Sequence, residues 1–217
     1  MKILVTAGAT IVPIDQVRAI TNIFRGKTGT GIAQYFAQMG DSVTLITSSP
    51  QLVSPGVTLK IVSYRTYDDL AGAMEQEVLN GGYDIIIHSA AVSDYAVTGV
   101  LARDEKGNLI RLDSSQKVSS SHKLLYLEMT PTKKLIDMVR RDWGFRGKLV
   151  KFKLEVGRTY DELIAIAIKS VRDSQADLIV ANCLEWYSQS AILVTPAGHF
   201  DEIERQNLPS ELRRRIA

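Results

Sequence analysis

A doubly wound α/β fold, Rossmann-like with a mostly parallel sheet, is what this 217-residue sequence predicts, and three observations carry that prediction. The first is Asp84–Tyr95, where Ile85-Ile86-Ile87 is too short for a helix and too uniformly apolar for a half-exposed strand. Such a run fits a central strand covered on both faces. The second is the alternation of strand-length apolar runs with helical patterns along most of the chain. The third lies just past the strand ends: Ala7-Gly8-Ala9-Thr10, Ser48-Ser49, Ser89-Ala90-Ala91 and Ala181-Asn182 are all small or amide residues. Open α/β sheets bind ligands just beyond the carboxyl ends of their strands, so these runs mark a nucleotide crevice. Tight packing at Ala90-Ala91 and a turn role for Asp94 are the alternatives at the central strand.

In chain order, Lys2–Thr6 reads as a strand running into the Gly8 loop, and Pro13-Ile14-Asp15 forbids a helix there. Ile32, Tyr35, Phe36 and Met39 form one helical face closed by Gly40. Strands are expected at 43–47 and 57–62, then a helix from Thr66 with Leu70, Met74 and Val78 inward and Asn80-Gly81-Gly82 as its stop. Residues 96–122 interrupt the rhythm with a polar turn at 103–108 and a serine-rich stretch around Lys117. A hairpin-like excursion is expected there, folding over the site or packing on a partner subunit. Strands at 123–129 and 149–154 come next, with Thr130-Pro131 read as a helix start running to about Arg141. Thr159-Tyr-Asp-Glu162 is a capping box opening a helix that buries Leu163, Ile164, Ala167, Ile168 and Val171. Strands at 177–181 and 191–195 and a basic helix at 209–216 end a chain read as one domain, 1–217.

Composition narrows the function. At 45% hydrophobic and 23% charged the chain is an ordinary globular protein with a sizeable core. One cysteine, Cys183, excludes an internal disulfide and a multi-cysteine zinc site. No leader and no membrane-length apolar run is visible, so a cytoplasmic protein without membrane contact is expected. A net charge of +2 is too mild for nucleic-acid binding. The basic excess between Lys123 and Arg158 suits an anionic small molecule. His88, His122 and His199 lack partners at catalytic or ligand spacing and read as structural.

The common nucleotide motifs are missing. Gly8 is not followed by G-x-G-x-x-G, and Gly26-Lys27-Thr28 has Thr21 where a Walker loop needs glycine. Gly26-Lys27-Thr28-Gly29 still opens a helix, where free amides and the dipole favour phosphate.

Lys2–Thr10, Pro13-Ile-Asp-Gln-Val-Arg18-Ala-Ile-Thr-Asn22, Gly26–Gly29, Ala90-Ala-Val-Ser-Asp-Tyr95 and Ala176–Asn182 together resemble phosphopantothenoylcysteine synthetase, in its stand-alone form. The resemblance implies activation of 4′-phosphopantothenate by CTP or ATP with Mg²⁺, release of pyrophosphate, and amide formation with L-cysteine. It implies a homodimer. It also implies roles for Asn22 at the acyl-phosphate centre, Arg18 orienting Asn22 or an anion, with a structural ion pair as the equal alternative, and Lys117 on a mobile flap used in the cysteine step. Gly8, Thr10, Gly26, Lys27, Ala90, Ala91, Asp94, Phe152, Lys153 and Asn182 would bind the nucleotide, and the wording leans toward CTP. The metal ligands are left unassigned. Ala9 stands where the family usually has a second glycine, and Ile23-Phe24-Arg25 replaces a small, serine-rich turn. Competing readings are an NAD(P)-binding oxidoreductase and a non-catalytic homologue of the synthetase.

Overall fold

The computed structural model describes residues 1–216. Its strands and helices, in chain order, are β1 (Lys2–Ala7), β2 (Ile11–Pro13), β3 (Ala19–Thr21), α1 (Lys27–Gln38), β4 (Ser42–Thr47), β5 (Lys60–Ser63), α2 (Tyr67–Asn80), β6 (Ile85–His88), β7 (Tyr95–Arg103), β8 (Leu109–Leu112), β9 (Tyr126–Pro131), α3 (Leu135–Arg141), β10 (Lys148–Glu155), α4 (Tyr160–Asp173), β11 (Leu178–Cys183), β12 (Ser190–Val194), β13 (Phe200–Glu204) and α5 (Leu208–Ile216).

Eight strands form the main sheet in the order β13-β12-β11-β10-β6-β1-β4-β5. The six from β11 to β5 are parallel, and β12 and β13 add an antiparallel edge. β6 lies between β1 and β10, so Ile85–Ile87 are paired on both sides and almost fully buried. Alternation splits the strands' side chains between two cores. Leu4 and Ile86 face α2, α3 and α4, while Ile3, Val5, Ile85 and Ile87 face α1 and α5. Each buried isoleucine contributes roughly 1.5–3 kcal/mol. On α1, Ile32 and Phe36 are buried, but Met39 at the helix end is exposed. Thr66 with Asp69, and Thr159 with Glu162, form capping boxes that start α2 and α4.

Residues 96–122 do contain a hairpin, β7 with β8, closed at 104–108 by the Asp104 carboxylate. Its partner is in its own chain: β7 also pairs with β9, giving the sheet β8-β7-β9. The expectation of an excursion that must find its packing on the site or on a partner subunit is therefore corrected. So is the helix at Thr130-Pro131, because both residues end β9 and α3 starts only at Leu135. β9 is an edge strand, where a proline without an N–H is tolerated. The Thr132 amide and hydroxyl, donating to the Asp94 and Ser93 carbonyls, extend that path. The pair β2–β3 and strand β13 are elements that the sequence pattern leaves as loop.

Candidate active site

The chain turns from β5, on one side of β1, to β6 on the other, and the cleft opens beyond the carboxyl ends of these strands. This is the switch point at which doubly wound sheets bind ligands. Three close approaches shape it. Gly8, at φ +94°, lies where a Cβ would fall 2.1 Å from the Ser48 Oγ, and that oxygen accepts the Ala9 amide at 3.0 Å. Gly26, at φ +90°, lies where a Cβ would sit 2.2 Å from the Gly8 nitrogen. The start of α1 thus packs directly on the loop after β1, which only glycine permits. Tyr64, buried, donates its hydroxyl to the Ala7 carbonyl at 3.0 Å, and burial raises its pKa to about 12.

A cleft of about 560 Å³ results, lined by Gly8, Ile23–Thr28, Ser89–Ala91, Phe152–Leu154, Asn182, Tyr187 and Arg205. Gly8, Gly26, Lys27, Ala90, Ala91, Phe152, Lys153 and Asn182 are therefore brought together. The other expected residues are placed elsewhere. Thr10 is fully buried, its hydroxyl accepting the Ser93 amide at 2.9 Å, so it fixes the loop after β6 rather than facing the cleft. Asp94 is exposed outside the lining, and its carbonyl holds Thr132. Asn22 lies beside the lining, with Nδ2 donating to the Ala91 carbonyl at 3.0 Å, which leaves its second amide hydrogen and Oδ1 free of that bond.

Arg18 neither orients Asn22 nor lines the cleft. Its guanidinium pairs with Asp15 and donates to the Val118 carbonyl at 2.7 Å, while the Val118 amide donates to Asp15 at 3.0 Å. Arg18, followed by backbone donors, holds the Asp15 carboxyl far below the usual carboxylate range. This clamp fixes the residue after Lys117, whose own side chain is exposed and outside the lining.

Two further details revise the expected chemistry. The Ala90 and Ala91 amides are taken by the Thr6 hydroxyl and the Gly8 carbonyl, so these alanines offer a smooth wall rather than free donors. Charged donors come instead from Arg25, Lys27, Lys153 and Arg205, and the lining holds no Asp or Glu. Tyr187 and Arg205, which sequence reasoning missed, sit at the far side. Phe24 meets Tyr187 edge-on at 5.3 Å across the mouth. Arg205 reaches Asn182 Oδ1 at 3.0 Å and the Thr28 hydroxyl at 2.6 Å. Lys153 is the one basic residue of the Lys123–Arg158 stretch in the lining. Arg140 and Lys148 pair with Asp177, and Lys151 donates to the Ser170 carbonyl.

Comparison with known proteins now decides the family. The sequence profile described as "DNA/pantothenate metabolism flavoprotein C-terminal domain" matches residues 1–206. The chain belongs to this family. It is 35% identical over 199 residues to the coenzyme A biosynthesis bifunctional protein CoaBC of Thermococcus kodakarensis, covering 91% of this chain and 45% of that protein. The chain spans about half the length of the curated relatives it matches. The crystal structure of the DNA/pantothenate metabolism flavoprotein from Streptococcus pneumoniae superposes with a TM-score of 0.86 at 33% identity, covering 100% of this chain and 98% of that one. A Cab2 mutant in complex with phosphopantothenate-cysteine shares the fold, with a TM-score of 0.73 at 17% identity over 98% of this chain and 85% of that one. This family's α/β architecture is the one the sequence predicts. No helix of the described residues is long and apolar enough to cross a membrane.

Proposed function

We propose that the chain is a phosphopantothenate–cysteine ligase. A carboxylate oxygen of 4′-phosphopantothenate attacks the α-phosphorus of a nucleoside triphosphate, the bond to the β-phosphate oxygen breaks, and pyrophosphate leaves. The cysteine amine then attacks the acyl carbon of the mixed anhydride. The nucleoside monophosphate departs with the bonding pair, and the amine's surplus proton passes to solvent. CTP is the nucleotide the resemblance favours, with ATP as the alternative.

The observation that carries this reading is a cleft at the sheet's switch point with four cationic side chains and no carboxylate. It suits a polyanion that must approach another anion, because preorganised positive groups offset their repulsion. Lys27 and the first turn of α1 would take the phosphate chain, a role supported by a helix start with no side-chain cap and no acidic residue. Phe152 and Tyr187 offer aromatic surface to the base. Asn22, held at Ala91, would aim its remaining amide hydrogen at the acyl oxygen, and Lys117 would cover the intermediate in the cysteine step.

Mg²⁺ does not fit a protein-built site here. The lining has no carboxylate, and the described residues contain no group of three His, Cys, Asp or Glu placed around a metal. The ion would enter on the nucleotide's own phosphates, where magnesium commonly keeps its ligands.

A homodimer is part of the proposal, supported by exposed apolar side chains on the three-stranded sheet, among them Tyr95, Leu109, Ile110 and Met129. The direct test is pyrophosphate release with CTP and with ATP. Release should require both nucleotide and 4′-phosphopantothenate and be faster with CTP. No release with either nucleotide, or release without the acid, overturns the reading.

A further inference from the structure

Arg205 differs from the other cations of the cleft. Arg25 and Lys27 are exposed to solvent, and Lys153 pairs with Glu155 at 3.0 Å. The Arg205 guanidinium is half-buried, and among the described residues its hydrogen-bond partners are two neutral oxygens, Asn182 Oδ1 and Thr28 Oγ1. Its neighbour Glu204 does not neutralise it, since that carboxylate accepts from Gln206 and Asn207 instead. Burial lowers its pKa from the ordinary arginine value, yet a guanidinium keeps its proton in proteins.

A cation drawn out of water without a counter-charge is unfavourable unless something in the site repays it. Here the cost is raised further, because Thr28 is the second residue of α1 and brings the positive end of that helix against the guanidinium. The position is fixed by main chain: the Arg205 amide donates to the Gln189 carbonyl at 2.8 Å, in the turn between β13 and α5. Two of the five guanidinium N–H groups are used on Asn182 and Thr28, and the residue lines the cleft.

We propose that Arg205 is a nucleotide-binding residue, its guanidinium being the preset counter-charge for the phosphate chain and held for that task by Asn182 and Thr28. This inference rests on the nucleotide-dependent reading of the cleft and names the residue that discriminates charged from uncharged ligands. Asn182 and Thr28 then act as positioning residues. They draw the guanidinium between the end of β11 and the start of α1, so one phosphate group meets arginine and helix amides together.

The test is equilibrium binding of CTP, ATP and cytidine to the full chain, wild type against Arg205→Gln and Arg205→Lys, at two salt concentrations. Arg205→Gln is expected to weaken CTP at least tenfold and cytidine less than twofold, and to flatten the salt dependence of CTP binding. Arg205→Lys should recover part of the loss. A merely structural strut would weaken CTP and cytidine by the same factor, and that result overturns the proposal, as does unchanged CTP affinity. If Arg205→Gln fails to fold by circular dichroism, Arg205→Lys decides: a severalfold loss for CTP with cytidine unaltered supports the proposal, and equal losses overturn it. Pyrophosphate release by the wild type separates the two claims. Charge-graded binding without release removes the ligase reading and keeps Arg205. Full turnover with unaltered KM in Arg205→Gln removes Arg205 alone, and a wild type that binds neither CTP nor ATP removes both.

Discussion

His88 ends β6 with its Nδ1 2.9 Å from the Thr6 hydroxyl; burial, helped by nearby Lys151, pushes its pKa from 6.5 down to about 4. Between those values the unfolded chain takes up a proton that the native state refuses. Its contribution to stability is therefore full above pH 6.5 and falls by roughly 3 kcal/mol as the pH drops to about 4. Urea unfolding of wild type and His88→Gln across that range should give a steeper acid decline for the wild type; parallel curves would show that His88 charges freely. At Asn22, replacement by Asp should lower amide formation by roughly 10²-fold or more, as loss of an oxyanion donor does, with CTP affinity little changed. Unaltered turnover would remove Asn22 from the chemistry. His88 and Thr10 are legible in the sequence to different degrees. His88 comes directly after three isoleucines, so its burial could be read from its neighbours. Thr10 looked like a ligand residue because it lies two positions past Gly8, yet its partner Ser93 lies 83 residues away and nothing local reveals it. Arg205 is hidden for the same reason, since the antiparallel return through β12 and β13 brings it to the cleft, and Tyr187 lies in the turn between β11 and β12, which carries no periodic pattern.

The elements that the sequence announces are those with a period and a cap. The face of α4 and the Thr159–Glu162 box are a pattern readable within one helix. β2, β3 and β13 are short or exposed and carry no such pattern. Thr130-Pro131 suits a helix start or an edge-strand end equally well until the contacts of Thr132 choose between them. At this scale the contact of α1 with the β1 loop is testable. Gly26→Ala forces a Cβ toward Gly8 at a positive φ and should cost roughly 2 kcal/mol or more, measured by urea unfolding. Unchanged stability would mean that the two glycines do not meet. The clamp from Asp15 and Arg18 to Val118 is a second case. Asp15→Ala should speed amide exchange through 114–122 and reduce amide product more than pyrophosphate release. Equal loss of both would separate the Lys117 segment from the cysteine step.

Across the whole molecule, the parallel part of the sheet follows from alternation, and the switch at β1 and β6 places the cleft. Charge was harder to read at this scale. The basic stretch from Lys123 to Arg158 is spread over several elements and sends one cation, Lys153, into the lining, while Arg25, Lys27 and Arg205 come from distant parts of the chain. Light scattering should give twice the chain mass if the exposed apolar side chains on β7, β8 and β9 join two copies, and a monomer at micromolar concentration would contradict the dimer. The central claim is that this cleft makes an acid react at the α-phosphorus of a nucleotide. It is tested most directly with 4′-phosphopantothenate bearing ¹⁸O in its carboxylate, by mass spectrometry of the products formed with CTP or ATP and cysteine. The account predicts one ¹⁸O in the released nucleoside monophosphate and none in pyrophosphate; label in pyrophosphate or inorganic phosphate, or none in the monophosphate, would contradict it.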